Sequence, residues 1–143
     1  MNDSTITLSL PGSIRFSRLA SLTASKTAEL FLSSVKVSKG TDDFRHAFEL
    51  SVSEAFTNAA RYALPSPHPQ PVTISFRFEE KQLTVSVTDS NPAFNLESPV
   101  PDIENYPEGG YGLLLIRSLM DTVSCRRENN TNTITMSKQP EIL

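Results

Sequence analysis

The chain has 143 residues, of which 38% are hydrophobic and 20% are charged, and its formal net charge is −3 at pH 7. This length predicts one domain, residues 1–143, that is large enough to bury its own core. The basic residues are scattered, with the pair Arg126-Arg127 as the longest run, so nucleic acid is disfavoured as a partner.

Three features predict a cytoplasmic protein. Cys125 is the only cysteine, so no intrachain disulfide can form, which fits a reducing compartment. The first residues lack the basic-then-apolar order of a signal peptide. No apolar run approaches the length that crosses a bilayer. We therefore expect a stand-alone cytoplasmic module without a membrane segment.

The first half of the chain predicts a strand followed by two helices. Residues 4–10 alternate apolar and polar side chains, which is typical of a half-buried strand, and Pro11-Gly12 ends it. Residues 13–34 carry apolar side chains at three- and four-residue spacing, which predicts an amphipathic helix. The side chains expected on its buried stripe are Phe16, Leu19, Ala20, Thr23, Thr27, Leu30 and Phe31.

The second helix is predicted from Thr41, whose hydroxyl suits an N-cap, to the proline-rich connector 65–71. Asp42 and Asp43 fall in its first turn, where the helix dipole favours negative charge. The side chains expected on its buried stripe are Phe44, Ala47, Phe48, Ala55 and Ala59.

The second half of the chain predicts two hairpins. Residues 72–78 and 83–89 alternate as strands, and the four residues between them suit a hairpin loop. Residues 122–127 and 131–137 form the second pair, and the last five residues are expected to be a tail.

A long loop and a third helix separate the two hairpins. Residues 90–109 contain four prolines, and connections of this length are usually lids or binding loops. A glycine-headed helix follows. The whole order predicts an α/β (α+β) two-layer sandwich, with a mostly antiparallel mixed sheet and helices on one face.

A carboxylate and an amide lie one turn apart on the second helix, in the stretch ELSVSEAFTNAARYA. Glu54 and Asn58 share one helix face at the edge of the predicted core. An amide oxygen can complete the octahedron of Mg²⁺, and a carboxylate can accept a proton from an attacking hydroxyl. Both roles occur in phosphoryl transfer. An ordinary surface pair is the alternative interpretation.

A second candidate group is Asp89, at the end of a predicted strand in VSVTDSNPAFN. It continues the inward phase of that strand, and a carboxylate near the core needs a hydrogen-bond donor. A backbone N–H in the following tight turn is one candidate donor. The exocyclic amine of a purine is the other.

A third group is the glycine-rich start of the third helix, in EGGYGLLLIRSLMDTV. Gly109, Gly110 and Gly112 precede or open an apolar run with helical spacing. Unpaired N–H groups and the dipole at a helix N-terminus attract anions, and glycine lets the backbone come close or adopt positive φ. These residues therefore predict a phosphate cradle and a hinge for the loop before it. A flexible connector is the alternative.

Together these stretches resemble the GHKL ATPase superfamily (gyrase, Hsp90, histidine kinase, MutL), which has the Bergerat α/β sandwich fold. The E-x-x-x-N pattern is similar to its N box, the strand-ending Asp to its adenine box, and G-x-G-L-x-L-I to its second glycine box. The closest resemblance is to the branch of anti-sigma factor serine kinases, RsbW- and SpoIIAB-like. That branch has E-L-x-V-S-E-A-x-x-N-A and E-G-G-x-G-L-x-L-I-x-x-L-M-D-x-V, which this chain matches at nearly every written position.

The resemblance implies a role for each candidate residue in one histidine-kinase-like ATPase domain. Asn58 would ligate Mg²⁺, Glu54 would be the base for an acceptor serine, and Asp89 would bind the adenine amine. Residues 95–109 would form the ATP lid. The residues expected near the phosphates are Gly109, Gly110, Gly112, the backbone of Leu113 and, less directly, Arg61.

The adenine box departs from the family pattern D-x-G-x-G, since the chain reads Asp89-Ser90-Asn91-Pro92-Ala93. Asn tolerates positive φ better than other non-glycine residues, so Asn91 is expected to preserve the turn. Ala93 adds one methyl group near the base. Tyr62 stands where the branch usually has His.

Three functions are compatible with this sequence. The first is an ATP- and Mg²⁺-dependent serine/threonine kinase that binds a sigma factor and phosphorylates a serine of a STAS-domain anti-anti-sigma partner. A homodimer is compatible with this function by analogy with the family. The second is a catalytically silent binding module with the same fold. The third is a detached histidine-kinase module, which needs a phosphoacceptor histidine. Neither His46, on the second helix, nor His68, in the proline connector, suits that role.

Overall fold

A computed structural model describes residues 4–61, 69–91 and 110–142. The helices and strands in these ranges, in chain order, are β1 (Ser4–Pro11), a 3₁₀ turn (Ile14–Phe16), α1 (Ser17–Ser33), β2 (Val37–Lys39), α2 (Thr41–Arg61), β3 (Pro71–Phe78), β4 (Leu83–Asp89), α3 (Gly110–Leu119), β5 (Thr122–Glu128), β6 (Thr131–Lys138) and β7 (Glu141–Ile142). The predicted order of the main strands and helices is therefore confirmed. The differences are the 3₁₀ turn before α1 and the two short strands β2 and β7, which were not predicted.

Five strands form the main sheet in the order β1-β3-β4-β6-β5. Every neighbouring pair in it is antiparallel, so the expectation of a mixed sheet is wrong for the described strands. The reason lies in the connections. Two helices carry the chain from β1 back to β3 in the opposite direction, and tight turns join β3 to β4 and β5 to β6.

The turn between β5 and β6 consists of Asn129 and Asn130, which have φ of 53° and 63°. A two-residue hairpin turn with positive φ at both central residues matches the right-handed twist of the strands, and Asn tolerates that conformation. This predicted hairpin is confirmed.

The core lies between the sheet and the helices, and it is rich in phenylalanine. Phe31 of α1 stacks on Phe44 of α2 with ring centroids 5.9 Å apart, and Phe44 contacts Phe48 at 5.0 Å. From the sheet, Ile74, Phe76 and other inward-facing side chains are fully buried against the helices. The predicted two-layer α/β arrangement is thus confirmed.

The buried stripe of α1 agrees only in part with the predicted one: Ala20, Thr27 and Phe31 are buried as predicted, but the two leucines are not. Leu19 and Leu30 are 49% and 55% exposed, although their spacing predicted burial. The side chains that are buried on this helix are Ala20, Ala24, Thr27, Ala28 and Phe31. Small side chains let α1 approach α2 closely, and that packing selects the alanine face over the leucine face.

The chain's end was expected to be a tail, but β7 pairs antiparallel with β2. Lys39 and Glu141 lie 4.0 Å apart across this pair. Strands of two and three residues are too short to show a hydrophobic period, so the sequence offered no signal for them.

Gly40 has a φ of +74° and links β2 to α2, and its carbonyl accepts the first helical hydrogen bond, from the Phe44 N–H at 2.9 Å. Thr41 is therefore the first residue of the helix and not its cap. Among the described helices, none is long and apolar enough to cross a membrane.

Candidate functional site

The candidate site is built on the last three turns of α2. Glu54 and Asn58 lie one turn apart and are both partly buried. The residues that follow each of them, Ala55 and Ala59, are 6% and 5% exposed and belong to the core. The helix therefore holds the carboxylate and the amide at the edge of the core, where both keep limited access to solvent.

Asn58 carries a buried acceptor without a donor. Its Oδ1 is buried and has no hydrogen-bond partner within the described residues. Burying an unpaired amide oxygen costs about 1–3 kcal/mol. A polar atom in this condition at the edge of a core is suited to a ligand that brings its own positive charge or donor.

Helix α3 approaches this face of α2 through Gly112. A methyl group on Gly112 would overlap Glu54 Oε2, and it would lie 3.3 Å from Glu54 Cδ and 3.6 Å from Asn58 Nδ2. Gly112 has no positive φ, so its need for glycine comes from space alone. The sequence pointed to an approach by a bulky anion, but the described neighbour at the Cβ position is the Glu54 carboxylate.

The N-terminal turn of α3 adds backbone donors to this corner. The helix begins at Gly110, and the first N–H groups of any helix have no intrahelical acceptor. Leu113 is 4% exposed, so its side chain belongs to the core while its backbone is in the first turn. The same turn therefore combines a packed side chain with a row of N–H groups that favour an anion.

Asp89, at the end of β4, is held by two donors on one oxygen. Its Oδ1 accepts from the Asn91 backbone N–H at 2.9 Å and from Asn132 Nδ2 at 2.8 Å. The first of these is the turn contact weighed from the sequence. No donor to Oδ2 is found in residues 4–61, 69–91 and 110–142, so half of the carboxylate is still available as an acceptor.

Asn91 holds the turn after β4 in a way that the sequence did not predict. It does not adopt positive φ; among the described non-glycine residues, only the two asparagines of the β5–β6 turn do. Instead its Nδ2 donates to the Ala59 carbonyl at 2.7 Å. This bond ties the end of β4 to the residue after Asn58, and so it joins the Asp89 corner to the α2 corner.

Two residues of this network were missed from the sequence. Asn132 of β6 pairs with Asp89 in register and is 6% exposed. Arg127 of β5 donates from one nitrogen to Asn132 Oδ1 at 2.8 Å and to the Asn91 carbonyl at 3.0 Å. A strand order that places β6 beside β4 was the signal required, and hydrophobic alternation does not supply strand order.

The structure thus brings Glu54, Asn58 and Gly112 together, and Asn91 connects them to Asp89. Arg61 is the last residue of α2 and is exposed. The other sequence-predicted positions lie outside the described residues: Tyr62, His68, Ala93, Gly109 and the segment 95–109. Within the described ranges, no group of three or more His, Cys, Asp or Glu side chains could hold a metal ion.

Comparison with known proteins gives one family match. The family model described as "Histidine kinase-like ATPase domain" matches residues 19–138. The chain is also similar to the serine-protein kinase RsbW of Oceanobacillus iheyensis, with 32% identity over 89 residues, or 56% of each protein. To the serine-protein kinase RsbW of Staphylococcus aureus (strain bovine RF122 / ET3-1) it is 34% identical over 107 residues, which is 68% of this chain and 66% of that protein.

The matched parts cover between about half and two thirds of these curated relatives. Among solved structures, the chain is similar to the histidine kinase AdeS of Acinetobacter baumannii, with a TM-score of 0.55. That match has 14% identity and covers 98% of this chain and 68% of the other. At this identity the likeness concerns the fold alone.

Proposed function

Because the chain belongs to the histidine kinase-like ATPase family, we propose that it is an ATP- and Mg²⁺-dependent serine/threonine protein kinase. The observation that carries the proposal is the corner where α2 presents Glu54 and Asn58 to the first turn of α3. It combines a carboxylate, an unpaired amide oxygen and backbone donors, which are the groups that phosphoryl transfer requires. The similarity to proteins named serine-protein kinase supports the same activity.

The residues present fit Mg²⁺ and ATP. The unpaired Asn58 Oδ1 is a hard oxygen ligand, and Mg²⁺ commonly takes one or two protein oxygens and completes its shell with phosphate and water. When bound, the ion would neutralise charge on the transferring phosphoryl group. The N–H groups of Gly110, Gly112 and Leu113 suit the phosphates, with Gly109 and Arg61 assigned to the same region by resemblance.

Asp89 would recognise the base. Its Oδ2, which no described residue engages, would accept a hydrogen bond from the adenine amine. Asn91 would support Asp89 by fixing the turn after β4, and Ala93 would lie near the base. Adenine binding would therefore depend on a carboxylate whose other oxygen is already fixed by two donors.

Glu54 would accept the proton of the attacking serine hydroxyl. Within the described residues its carboxylate has no hydrogen-bond donor and no cationic partner, so both oxygens can serve as acceptors. Gly112 leaves open the space beside Oε2 that any side chain would fill. Glu54 and Asn58 lie one helical turn apart on the same face of α2, so a hydroxyl at Glu54 and a phosphoryl group held through Asn58 would be neighbours.

The protein substrate that we propose is a STAS-domain anti-anti-sigma protein, with a sigma factor as the second partner. This assignment follows the branch that the motifs resemble. A kinase that binds both proteins would let one nucleotide site control partner exchange, and a homodimer would be compatible with it.

Phosphate transfer to a STAS-domain protein tests the proposal. The chain, radiolabelled ATP, Mg²⁺ and a STAS-domain protein from the same host would be combined, and transferred label would be measured. We expect Glu54→Gln to lower the transfer rate by a factor of about 10² to 10⁴, because it removes only the proton acceptor. ATP affinity should be largely retained.

Glu49→Gln is the matched control, since Glu49 lies on the same helix but 140° around it from Glu54. It should leave transfer unchanged. A fully active Glu54→Gln variant would contradict the assignment of the base. A wild-type chain that does not bind ATP at millimolar concentration would contradict the kinase proposal as a whole and favour a silent binding module.

A further inference from the structure

Three strands present one row of polar side chains beneath the proposed adenine site. Asp89 of β4 pairs with Asn132 of β6, and Asn132 pairs with Arg127 of β5. Directly opposed residues point to the same face of a sheet, so the three side chains form a continuous row on the helix-facing side. Neighbouring inward positions on these strands, such as Val87 and Met136, are core residues.

Every hydrogen-bonding group of the Asn132 amide is used in this row. Its Nδ2 donates to Asp89 Oδ1 at 2.8 Å and to the Asn91 carbonyl at 3.1 Å, and its Oδ1 accepts from Arg127 at 2.8 Å. A flipped amide would place Oδ1 against a carboxylate and a carbonyl, and its NH₂ group against a guanidinium. Since a guanidinium cannot accept a hydrogen bond, Arg127 permits only one orientation of the amide.

We propose that Arg127 is a positioning residue for nucleotide selection: it holds Asn132 with its NH₂ group toward Asp89, so that Asp89 Oδ1 is occupied and Oδ2 faces the base. This inference rests on the proposed function, because it assumes that Asp89 receives the adenine amine. Arg127 would not contact the nucleotide and would act through Asn132 and Asn91.

The same guanidinium nitrogen also fixes the turn that links β4 to α2. It donates to the Asn91 carbonyl at 3.0 Å, and the Asn91 side chain in turn donates to the Ala59 carbonyl at 2.7 Å. In a chain whose adenine box lacks the usual glycines, these side-chain bonds replace a glycine turn as the support of Asp89. Removal of Arg127 should therefore disturb the base pocket more than the phosphate pocket.

Arg126 offers a control, because it is adjacent to Arg127 and carries the same charge on the opposite face of the sheet. Arg126 points to the other face of the sheet, is 79% exposed and pairs with Glu128 at 2.8 Å. Arg127→Met and Arg126→Met remove the same charge from the same strand. Any effect of net charge on binding a polyanion should appear in both variants.

The experiment measures the affinities of ATP and of inosine triphosphate, in the presence of Mg²⁺, for the wild-type chain and each variant. Hypoxanthine carries a carbonyl at C6 where adenine has its amine, and a hydrogen on N1 where adenine has an acceptor. The ratio of the two affinities therefore reports recognition of this edge of the base, which is where the proposal places Asp89. We expect Arg127→Met to lower the ATP affinity about tenfold, because a displaced Asp89 would lose its charge-assisted hydrogen bond to the adenine amine, and one such bond has that scale. Its affinity for inosine triphosphate should change little, and Arg126→Met should keep the wild-type ratio.

Two further variants test whether Arg127 acts as a donor and through Asp89. Both of its bonds come from one nitrogen, so Arg127→Lys retains a suitable donor and should restore part of the ratio. In an Asp89→Asn background, Arg127→Met should cause no further loss of discrimination. The midpoint of thermal unfolding, measured for each variant, identifies any ratio that changes only because the chain unfolds.

An unchanged ratio in folded Arg127→Met would overturn the inference and leave the proposed kinase function intact. Equal changes in the Arg126 and Arg127 variants would overturn it as well, since they would indicate a general charge effect. If the affinity ratio of Arg127→Lys were no higher than that of Arg127→Met, Arg127 would not act by donating hydrogen bonds. A wild-type chain that binds neither nucleotide would refute the proposed function, and this inference with it.

Discussion

The two ends of strand β4 carry polar clusters of opposite character. At its first end, Glu79 accepts hydrogen bonds from Thr84, Gln82 and Arg77, all close along the chain. At its last end, Asp89 accepts hydrogen bonds from Asn91, two positions on, and from Asn132, 43 positions away in sequence. This end also adjoins a helix whose Asn58 Oδ1 has no donor among the described residues. The first cluster is closed and local; the second is assembled from distant segments and left incomplete.

This difference is the one expected between a cluster that stabilises the fold and a cluster that binds a ligand. A closed network satisfies its members and contributes to folding, whereas an unpaired buried acceptor lowers stability unless a ligand engages it. Proteins tolerate such strain mainly at functional sites. The contrast supports the proposal that the α2–α3 corner is the functional end of the molecule.

The largest effect on this contrast is expected from Gly112→Ala. The added methyl group would overlap Glu54 Oε2, so the carboxylate or α3 must move. A misplacement of about 1 Å can cost about 10²-fold in a reaction that depends on positioning, so we expect a loss of rate of that order. Phosphotransfer rates of the variant and the wild type measure it.

Gly40→Ala is the control for a glycine substitution elsewhere. Gly40 has open space around its Cβ position but a φ of +74°, so alanine there should lower stability without touching the site. Gly40→Ala should therefore lose stability and keep its rate. If Gly112→Ala had a wild-type rate, the close approach of α3 to Glu54 would have no catalytic meaning.

A smaller effect is expected from alanine substitution of Asn132, whose amide is fully hydrogen-bonded, and of Asn58, whose amide oxygen has no described donor. Asn132→Ala removes three hydrogen bonds and should lower the free energy of unfolding by about 2–3 kcal/mol, whereas Asn58→Ala removes an unpaired oxygen and should cost less than about 1 kcal/mol. Asn58→Ala should instead weaken Mg²⁺-dependent ATP binding about tenfold or more.

Chemical denaturation of the two variants and nucleotide titration with and without Mg²⁺ give these values. Normal Mg²⁺-dependent affinity in Asn58→Ala would rule out Asn58 as the metal ligand. If Asn58→Ala lost as much stability as Asn132→Ala, the Asn58 oxygen would be paired in solution.

The smallest effect is expected at the Glu79 cluster, where the free energy of unfolding should depend on pH. The hydroxyl of Thr84, with help from Gln82 and Arg77, holds the pKa of Glu79 below its ordinary value of 4.5. A carboxyl whose pKa is lowered by folding stabilises the fold fully at pH values above its unfolded-state pKa. This contribution is lost as the pH falls through the folded-state pKa. Because Glu79 is partly exposed, the contribution should be under about 1 kcal/mol.

Unfolding free energies of the wild type and Thr84→Val at pH 7 and pH 3 measure it. Thr84→Val removes the main cause of the shift, so the two proteins should differ more at pH 7 than at pH 3. A difference that did not depend on pH would show that Thr84 acts only by packing.

The sequence predicted local structure well where one hydrophobic period was long enough to read. The alternation around Ile74 and Val85 marked both strands of the first hairpin, and the four-residue spacing of Glu54 and Asn58 placed them on one helix face. On α1 the prediction was wrong for Leu19 and Leu30, because they are as apolar as buried residues and only the close packing of α2 favours the alanine face. The pairing of β2 with β7 was missed because strands so short have no period.

For the candidate site, the sequence by itself determined which chemical groups are available: a carboxylate and an amide one turn apart, an aspartate at a strand end and glycines at a helix start. The face on which a side chain lies along a helix or strand follows from backbone geometry, so it can be predicted from the amino-acid sequence. Only the tertiary structure decided that Gly112 lies against Glu54, that Asn91 bonds to Ala59, and that Arg127 reaches Asp89 through Asn132. Those contacts depend on strand order and helix approach, which arise from packing of the whole core and leave no local pattern in the chain.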